Sequence, residues 1–345
     1  MPFALLYGIG VSLKNTLYST GLLKSSSFSI PVVSVGNLGI GGAGKTPHIE
    51  YLIELLSPYI YVATLSRGYK RDTKGFRLVS PNDNARTAGD EPIQFARKYP
   101  DVKVFVAENR ALAIPDIVRQ MPHVQCILLD DAYQHRVVQP YLNILLTQYE
   151  QPFYRDFLLP VGRLREFRSA YQRADIILVS KCPDDISFDD KERITSEIMP
   201  QAHQKLFFTK YKYFTPYSFY FTDQRLLLDK DLHVILISAI ANTLYLTNFL
   251  RKSCKSVTHL EYEDHHYFTD QDIDIIKSTY LRKREADTTI VITTEKDAMR
   301  LDLYKMKLFS NQIPIFILPV KVEFLFDQQE EFNELVKDTL LAFKV

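Results

Sequence analysis

Charge of one sign is what this sequence lacks most. In 345 residues, 42 lysines and arginines face 41 aspartates and glutamates, a net charge of +1. That balance excludes a whole-molecule field for nucleic acid, so any basic site must be local. Cysteine is scarce too: Cys126, Cys182 and Cys254 are scattered and odd in number, which excludes a disulfide framework and a zinc site and fits a reducing compartment. A long hydrophobic run is missing at the N-terminus, where the apolar stretch from Phe3 to Val11 is about half of the roughly 20 residues a spanning helix needs. No basic segment precedes it and no small-residue cleavage pattern follows, so a secretory signal is not expected. Internal repeats and low-complexity tracts are absent as well.

What is present is alternation. The runs IPVVSV, YIYVATL, DVKVFVA, QCILLDD, LNILLT and ADIILVS recur with helical or loop segments between them. That pattern predicts βαβ units and a parallel sheet buried on both faces, a doubly wound α/β domain. A second α/β series follows in HVILISAI, SVTHLEY, TTIVITT and IPIFILPV. Between the two, KLFFTKYKYFTPYSFYF reads as two aromatic strands joined at TPYS, an antiparallel β-ribbon linking two lobes. The expected division is an N-terminal amphipathic helix in residues 1–28, a core domain in 29–203, the ribbon in 204–224 and a smaller α/β lobe in 225–345. On the first helix Phe3, Leu6, Tyr7, Gly10, Leu13 and Leu17 share one side, with Lys14 and Lys24 placed for a headgroup layer. Taken alone, such a stripe more often docks on the protein's own core.

Glycine is used sparingly and then concentrated: five of the 12 fall between Val32 and Leu52. Gly39-Ile40-Gly41-Gly42-Ala43-Gly44-Lys45-Thr46 fits G-x-x-x-x-G-K-[ST] after a predicted strand and before a predicted helix. In such a loop, backbone N–H groups converge on phosphates at a helix N-terminus; Lys45 would reach the β/γ-phosphates and Thr46 would bind Mg²⁺. The paired carboxylates Asp130 and Asp131 end a predicted strand, where a nucleotide-bound metal needs an acidic partner. Guanine specificity is not supported, since Pro183 and Ala298 stand where a K-x-D element would place its aspartate. ATP in an ordinary phosphate-binding loop is the simpler reading.

LSRGYKR, GDEP, ENR and LPVGRLRE add knots of charge, most of them at predicted strand ends, where open α/β sheets bind ligands. In this order SVGNLGIGGAGKTP, LSRGYKR, GDEP, ENR, DDAYQH, LPVGRLRE, DHHYF and TTEKDAMRL resemble the tetraacyldisaccharide 4'-kinase family, the lipid A 4'-kinases of Gram-negative bacteria, from about Pro31 to Leu301. Ala132-Tyr133, Lys70 and Arg163 depart from the family's usual residues, and none of the departures removes a charged group expected in the reaction.

The resemblance implies transfer of the ATP γ-phosphate to the 4'-hydroxyl of a tetraacylated glucosamine disaccharide 1-phosphate, with Mg²⁺, by a monomer at the cytoplasmic face of the inner membrane. A lipid acceptor turns the first helix, residues 2 to about 23, toward interfacial insertion. By similarity Asp90 is the base, with His265 as its partner from the second lobe. Arg165 and Glu166 are expected at the nucleotide or its metal, and Glu91, Asp130, Asp131 and Thr46 at the metal. Arg67 and Arg110 are expected on phosphates of the substrate. The alternative for Asp264, His265 and His266 is that they lead into a helix capped by Thr269 and Asp272. Two other functions remain open at this point, a non-catalytic ATP-binding switch and a soluble small-molecule kinase.

Overall fold

The computed structural model describes residues 2–284 and 288–344. The side chains of Pro2, Phe3 and Leu5 lie outside the described set, and with them the place of Phe3 on the apolar stripe. In chain order the strands are β1 (Val32–Asn37), β2 (Val62–Ser66), β3 (Arg77–Leu78), β4 (Lys103–Val106), β5 (Cys126–Asp130), β6 (Leu142–Gln148), β7 (Ile176–Ser180), β8 (Lys205–Tyr213), β9 (Tyr217–Ser218), β10 (His233–Ser238), β11 (Ser256–Glu261), β12 (Thr289–Thr294), β13 (Ile315–Leu318) and β14 (Val320–Phe324). The helices are α1 (Pro2–Ser19), α2 (Lys45–Leu56), α3 (Ala85–Ala88), α4 (Asp90–Lys98), α5 (Arg110–Gln120), α6 (Phe188–Ile198), α7 (Leu244–Ser253), α8 (Asp270–Lys283), α9 (Glu295–Leu301), α10 (Lys305–Ser310) and α11 (Gln329–Leu341).

Nine strands form one sheet in the order β14-β8-β7-β6-β1-β5-β2-β4-β3, parallel except at the edge strands β14 and β3. Burial on both faces follows from the two-residue period of a strand. In β5, Cys126 and Leu128 point into the core shared with α2, α4 and α11, whereas Ile127 and Leu129 point into the core covered by α5. The chain order reverses at β1, whose neighbours are β5 and β6. A crevice outside the carboxyl end of such a strand is where open α/β sheets take ligands.

Five strands form the second sheet, β11-β10-β12-β13-β9, with only β9 antiparallel. The expected ribbon differs from what the chain builds. β8 pairs with β7 and β14 in the large sheet, and β9 pairs with β13 in the small one. TPYS lacks the positive-φ residues that close a tight hairpin, so the chain runs on extended from one sheet to the other. The antiparallel partner of KLFFTKYKY arrives about a hundred residues later as VKVEF, with Tyr213 opposite Val320. The segment 225–345 is accordingly shared: β14 and α11 return to the large sheet, where Phe332 and Val336 are buried in its core.

Helix α1 lies against the loop that runs from Leu158 to Phe167. A Cβ at the buried Gly8 would come within 2.8 Å of both side chains, so close approach needs glycine there. Ala4, Gly8, Val11, Asn15 and Tyr18 face inward, while Leu6, Ile9 and Leu13 remain exposed on the opposite face. Among the described residues no helix is long and apolar enough to cross a membrane.

Phe332 packs on Tyr51, Phe207 and Phe324 at centroid distances of 5.9, 5.3 and 4.6 Å. Phe332→Ala is expected to destabilise the large lobe by about 3–5 kcal/mol, measured by chemical denaturation. A loss under 1 kcal/mol would mean that the C-terminal helix contributes little to that core.

Candidate active site

The glycine loop is held from two sides, by the end of β7 and by the loop that carries Arg163. Between β1 and α2, Ala43 and Gly42 offer carbonyls to Ser180 Oγ at 2.8 Å and Lys181 Nζ at 2.6 Å, and Ile40 N–H donates to Arg163 O at 2.8 Å. Gly44 is in the left-handed region at φ 88°, and a Cβ there would meet the Tyr211 hydroxyl at 2.5 Å. Glycine is therefore required twice over, by conformation and by space. Directly beneath, buried His48 donates from Nδ1 to Gly44 O at 2.8 Å and accepts from Thr209 at Nε2, 3.1 Å away. Burial of Lys181 pushes its ammonium down to about 8, against the pull of Asp264.

Asn37, the last residue of β1, ties the cations of the site together. Its Oδ1 accepts from Lys45 at 3.2 Å and from Arg165 at 2.8 Å. Lys45 also lies 3.6 Å, and Arg165 3.0 Å, from Asp131, which sits at φ 49° just past β5. Desolvation would raise the Asp131 carboxyl, but these two cations hold it well below the usual carboxylate range. Asp130, one residue earlier, is 2% exposed, and its Oδ1 has no partner. Burial, with Glu91 and Asp131 nearby, pushes it up to about 8. Thr46 Oγ donates to Glu91 at 3.3 Å.

Across the crevice, Gly89 at φ 96° opens α4, so Asp90 and Glu91 occupy its first turn, where the helix dipole favours carboxylates. Asp90 Oδ2 lies 3.1 Å from His265 Nδ1, 3.3 Å from Arg300 Nη1 and 3.9 Å from Lys296 Nζ. All three partners belong to the smaller lobe. Burial alone would raise Asp90; Lys296, His265 and Arg300 together hold it far below the usual range. The Thr269/Asp272 capping box forms as well, with His266 bound to Asp272 at 2.9 Å. The two histidines thus part company, His266 to the cap and His265, at φ 58°, to the carboxylate.

Other expected residues fall less neatly. Arg110 is 4% exposed with its Nε unpartnered, and Arg67 is exposed. Burial and the nearby Arg67 charge both lower Arg110, and burial, Arg110, Lys14 and Arg67 push His135 down to about 4. These four groups therefore form one basic cluster between α1 and the crevice. Glu166 turns away from the glycine loop: it is 3% exposed and binds Asn15 at 2.6 Å and Arg173 at 3.0 Å. Asn37, Lys181, Lys296 and Arg300 were not singled out from the sequence. For the last two a signal existed, cations spaced i, i+4 along one short helix directly after a buried strand.

Residues 1–341 match the family described as tetraacyldisaccharide-1-P 4'-kinase. The chain belongs to that family. Tetraacyldisaccharide 4'-kinase of Phocaeicola vulgatus is 40% identical over 342 residues, covering 98% of this chain and 93% of the relative. The Porphyromonas gingivalis W83 protein of the same name is 42% identical over 337 residues, 96% and 94% of the two chains. A crystal structure of the Aquifex aeolicus enzyme LpxK in complex with ATP superposes with a TM-score of 0.73 at 26% identity, covering 98% of each chain. Kinase membership agrees with the glycine loop facing paired carboxylates at the switch point of the sheet.

His48 makes the loop's support dependent on pH. Burial lowers its proton affinity from the ordinary 6.5 to about 4, outweighing the Gly44 hydrogen bond. The unfolded chain takes up this proton at higher pH than the folded one, so stability is full above 6.5 and is lost as pH falls toward 4. The loss attributable to His48 is about 3 kcal/mol. Denaturation of His48→Gln at pH 7 and pH 4 is expected to show a correspondingly smaller acid loss than wild type.

Proposed function

We propose that this chain transfers the γ-phosphoryl group of ATP to the 4'-hydroxyl of tetraacyldisaccharide 1-phosphate, giving lipid IVA in lipid A biosynthesis. The observation that carries the reading is Asp90, a buried carboxylate of one lobe gripped by His265 of the other, across the crevice from the glycine loop. Phosphoryl transfer needs positioned charge more than covalent chemistry. Gly39, Gly41, Gly42, Ala43 and Gly44 supply the phosphate cradle, and Lys45 with Arg165 supplies cations to the β- and γ-phosphates. Those cations rest on Asn37 and Asp131, so their positions are set before nucleotide arrives. Asp90 accepts the proton of the attacking hydroxyl. Held ionised by its neighbours it is a weak base, which suits a loose transition state in which the proton leaves late.

Mg²⁺ fits the acidic side of the crevice. Asp130 keeps a buried oxygen without a partner, and burial, with Glu91 and Asp131 close by, drives its carboxyl up. Among the described residues no three His, Cys, Asp or Glu side chains form a closed metal cage. Mg²⁺ ordinarily takes one or two carboxylates and completes its shell with water and substrate phosphates. Thr46, Glu91, Asp130 and Asp131 are the residues that would hold it. When bound it neutralises charge developing on the transferred phosphoryl group.

The basic cluster of Arg67 and Arg110, with Lys14 and His135, supports a phosphate of the lipid acceptor on the α1 side of the crevice. Leu6, Ile9 and Leu13, exposed on the outward face of α1, support insertion of that helix into the cytoplasmic face of the inner membrane.

Transfer of labelled γ-phosphate to tetraacyldisaccharide 1-phosphate in mixed micelles tests the reading. Wild type is expected to phosphorylate the acceptor. Asp90→Asn is expected to lower kcat by about 10²–10⁴ with KM for ATP little changed, and Lys45→Ala to weaken both. Folded, ATP-binding wild type that leaves the acceptor untouched would overturn it in favour of the nucleotide switch. For the membrane, the triple change Leu6→Ser, Ile9→Ser and Leu13→Ser should abolish co-sedimentation with anionic vesicles and leave ATP affinity unchanged; retained sedimentation would sink the α1 reading.

A further inference from the structure

Lys296 lies in the first turn of α9 and, beyond helping to hold Asp90 ionised, has no task in the reaction as described so far. Its Nζ lies 3.2 Å from His265 Nε2 and 3.0 Å from Glu91 Oε1. An ammonium group donates three hydrogens and accepts none. Its contact with Nε2 is a hydrogen bond only when that nitrogen presents a lone pair. The single hydrogen of the neutral ring then sits on Nδ1, the nitrogen 3.1 Å from Asp90 Oδ2. Both contacts of the imidazole therefore require the same tautomer.

Without Lys296 a different state is favoured. Asp264 Oδ2 lies 3.9 Å from Nε2, so the ring would stand between two carboxylates, Asp90 on one nitrogen and Asp264 near the other. A hydrogen placed on Nε2 would then meet that carboxylate instead of an ammonium. Of the remaining neighbours, Arg300 reaches Asp90 at 3.3 Å and not Nε2. Tyr69 faces the ring at a centroid distance of 4.7 Å, and Lys70 spends its ammonium on the His265 carbonyl at 3.1 Å. Lys296, 17% exposed, is the cation that contacts Nε2 itself.

We propose that Lys296 is a positioning residue that keeps Nε2 of His265 free of hydrogen, so that His265 serves Asp90 as an Nδ1–H donor and takes no proton from it. The balance of the transfer step is then complete without the ring. The hydroxyl oxygen forms its bond to γ-phosphorus, and the bond from γ-phosphorus to the bridging oxygen breaks with its electron pair leaving on ADP. The hydroxyl proton passes to a carboxylate oxygen of Asp90. His265 ends the step as it began, because a ring bearing hydrogen on Nδ1 cannot receive another there. The assignment rests on Asp90 as the base and adds what holds that base in register.

The test is long-range ¹H–¹⁵N NMR of the full chain with ¹⁵N-labelled histidine rings, the His265 signals identified by their loss in His265→Gln. The spectra need no turnover, so they answer separately from the transfer assay. Wild type is expected to show hydrogen on Nδ1 and none on Nε2. In Lys296→Met, Nε2 should gain hydrogen and kcat should fall about tenfold or more, with KM for ATP unchanged. Lys296→Arg, which still donates, should restore an unprotonated Nε2 and most of kcat. Hydrogen on Nε2 in wild type would overturn the proposal. So would an unprotonated Nε2 in Lys296→Met, whatever the loss of rate, since that loss would then be merely structural.

Discussion

The contact between Asp90 and the smaller lobe is the interaction on which the rest of this structure depends. A carboxylate 3% exposed is costly to keep ionised unless it is paired, and removing one partner of such a group leaves an uncompensated buried charge. Its partners His265, Lys296 and Arg300 come from two segments of the other lobe, the loop before α8 and the helix α9. The proposed base is therefore set by the same contacts that hold the lobes together. A second buried set beside it, Lys98 between Glu50 and Glu295 at 2.8 Å each, extends the seam away from the crevice. In an enzyme that must keep water from competing with a sugar hydroxyl, a base assembled only when the lobes meet is a way of making chemistry conditional on enclosure.

The glycine loop obeys the opposite logic, being built before anything binds. Its carbonyls are fixed by Ser180 and Lys181, its cations by Asn37 and Asp131, and its last glycine by Tyr211 and His48. Preorganised cations lose little freedom when phosphates arrive. Strain is present here as well: Lys70, Asp131, Lys181 and His265, half of the positive-φ non-glycine residues among those described, each adjoin the crevice or a residue that lines it. Non-glycine residues hold that conformation only where surrounding structure over-determines it.

Much of this was legible from the chain alone, and the exceptions have a common cause. The strand runs, the glycine loop and the Asp130-Asp131 pair are local patterns, each with its own period or spacing, so they survive reading in one dimension. The ribbon expected at TPYS did not form as read. Whether β8 pairs with β9 or with β14 is decided by where VKVEF returns, a contact across about a hundred residues that no local pattern encodes. Glu166 was expected with Arg165 at the nucleotide or its metal, as part of the LRE motif, yet successive residues on an extended loop point to opposite sides, and its carboxylate faces Asn15 and Arg173. Lys296 was quoted within TTEKDAMRL without a role, because its role lies in the hydrogen-bond state of a histidine 31 residues away.

That placement of Glu166 changes how the first helix is understood. Tyr7 donates to the Arg165 carbonyl at 3.0 Å, and Asn15 to Glu166, so α1 grips two consecutive residues of one loop. The next contacts of Arg165 are Asp131 and Asn37, which are also the contacts of Lys45. Only these few bonds separate the exposed apolar face of α1 from the cations of the glycine loop. Arg136 closes the arrangement, donating to the Asn15 carbonyl at 2.6 Å and lying over the Tyr18 ring, one residue from His135 in the basic cluster. A helix that only anchored a kinase to a bilayer could sit anywhere on its surface. This one is seated where its inward face grips the Arg165–Glu166 segment and its outward face meets solvent, so that few bonds join that outward face to the residues proposed to bind phosphate.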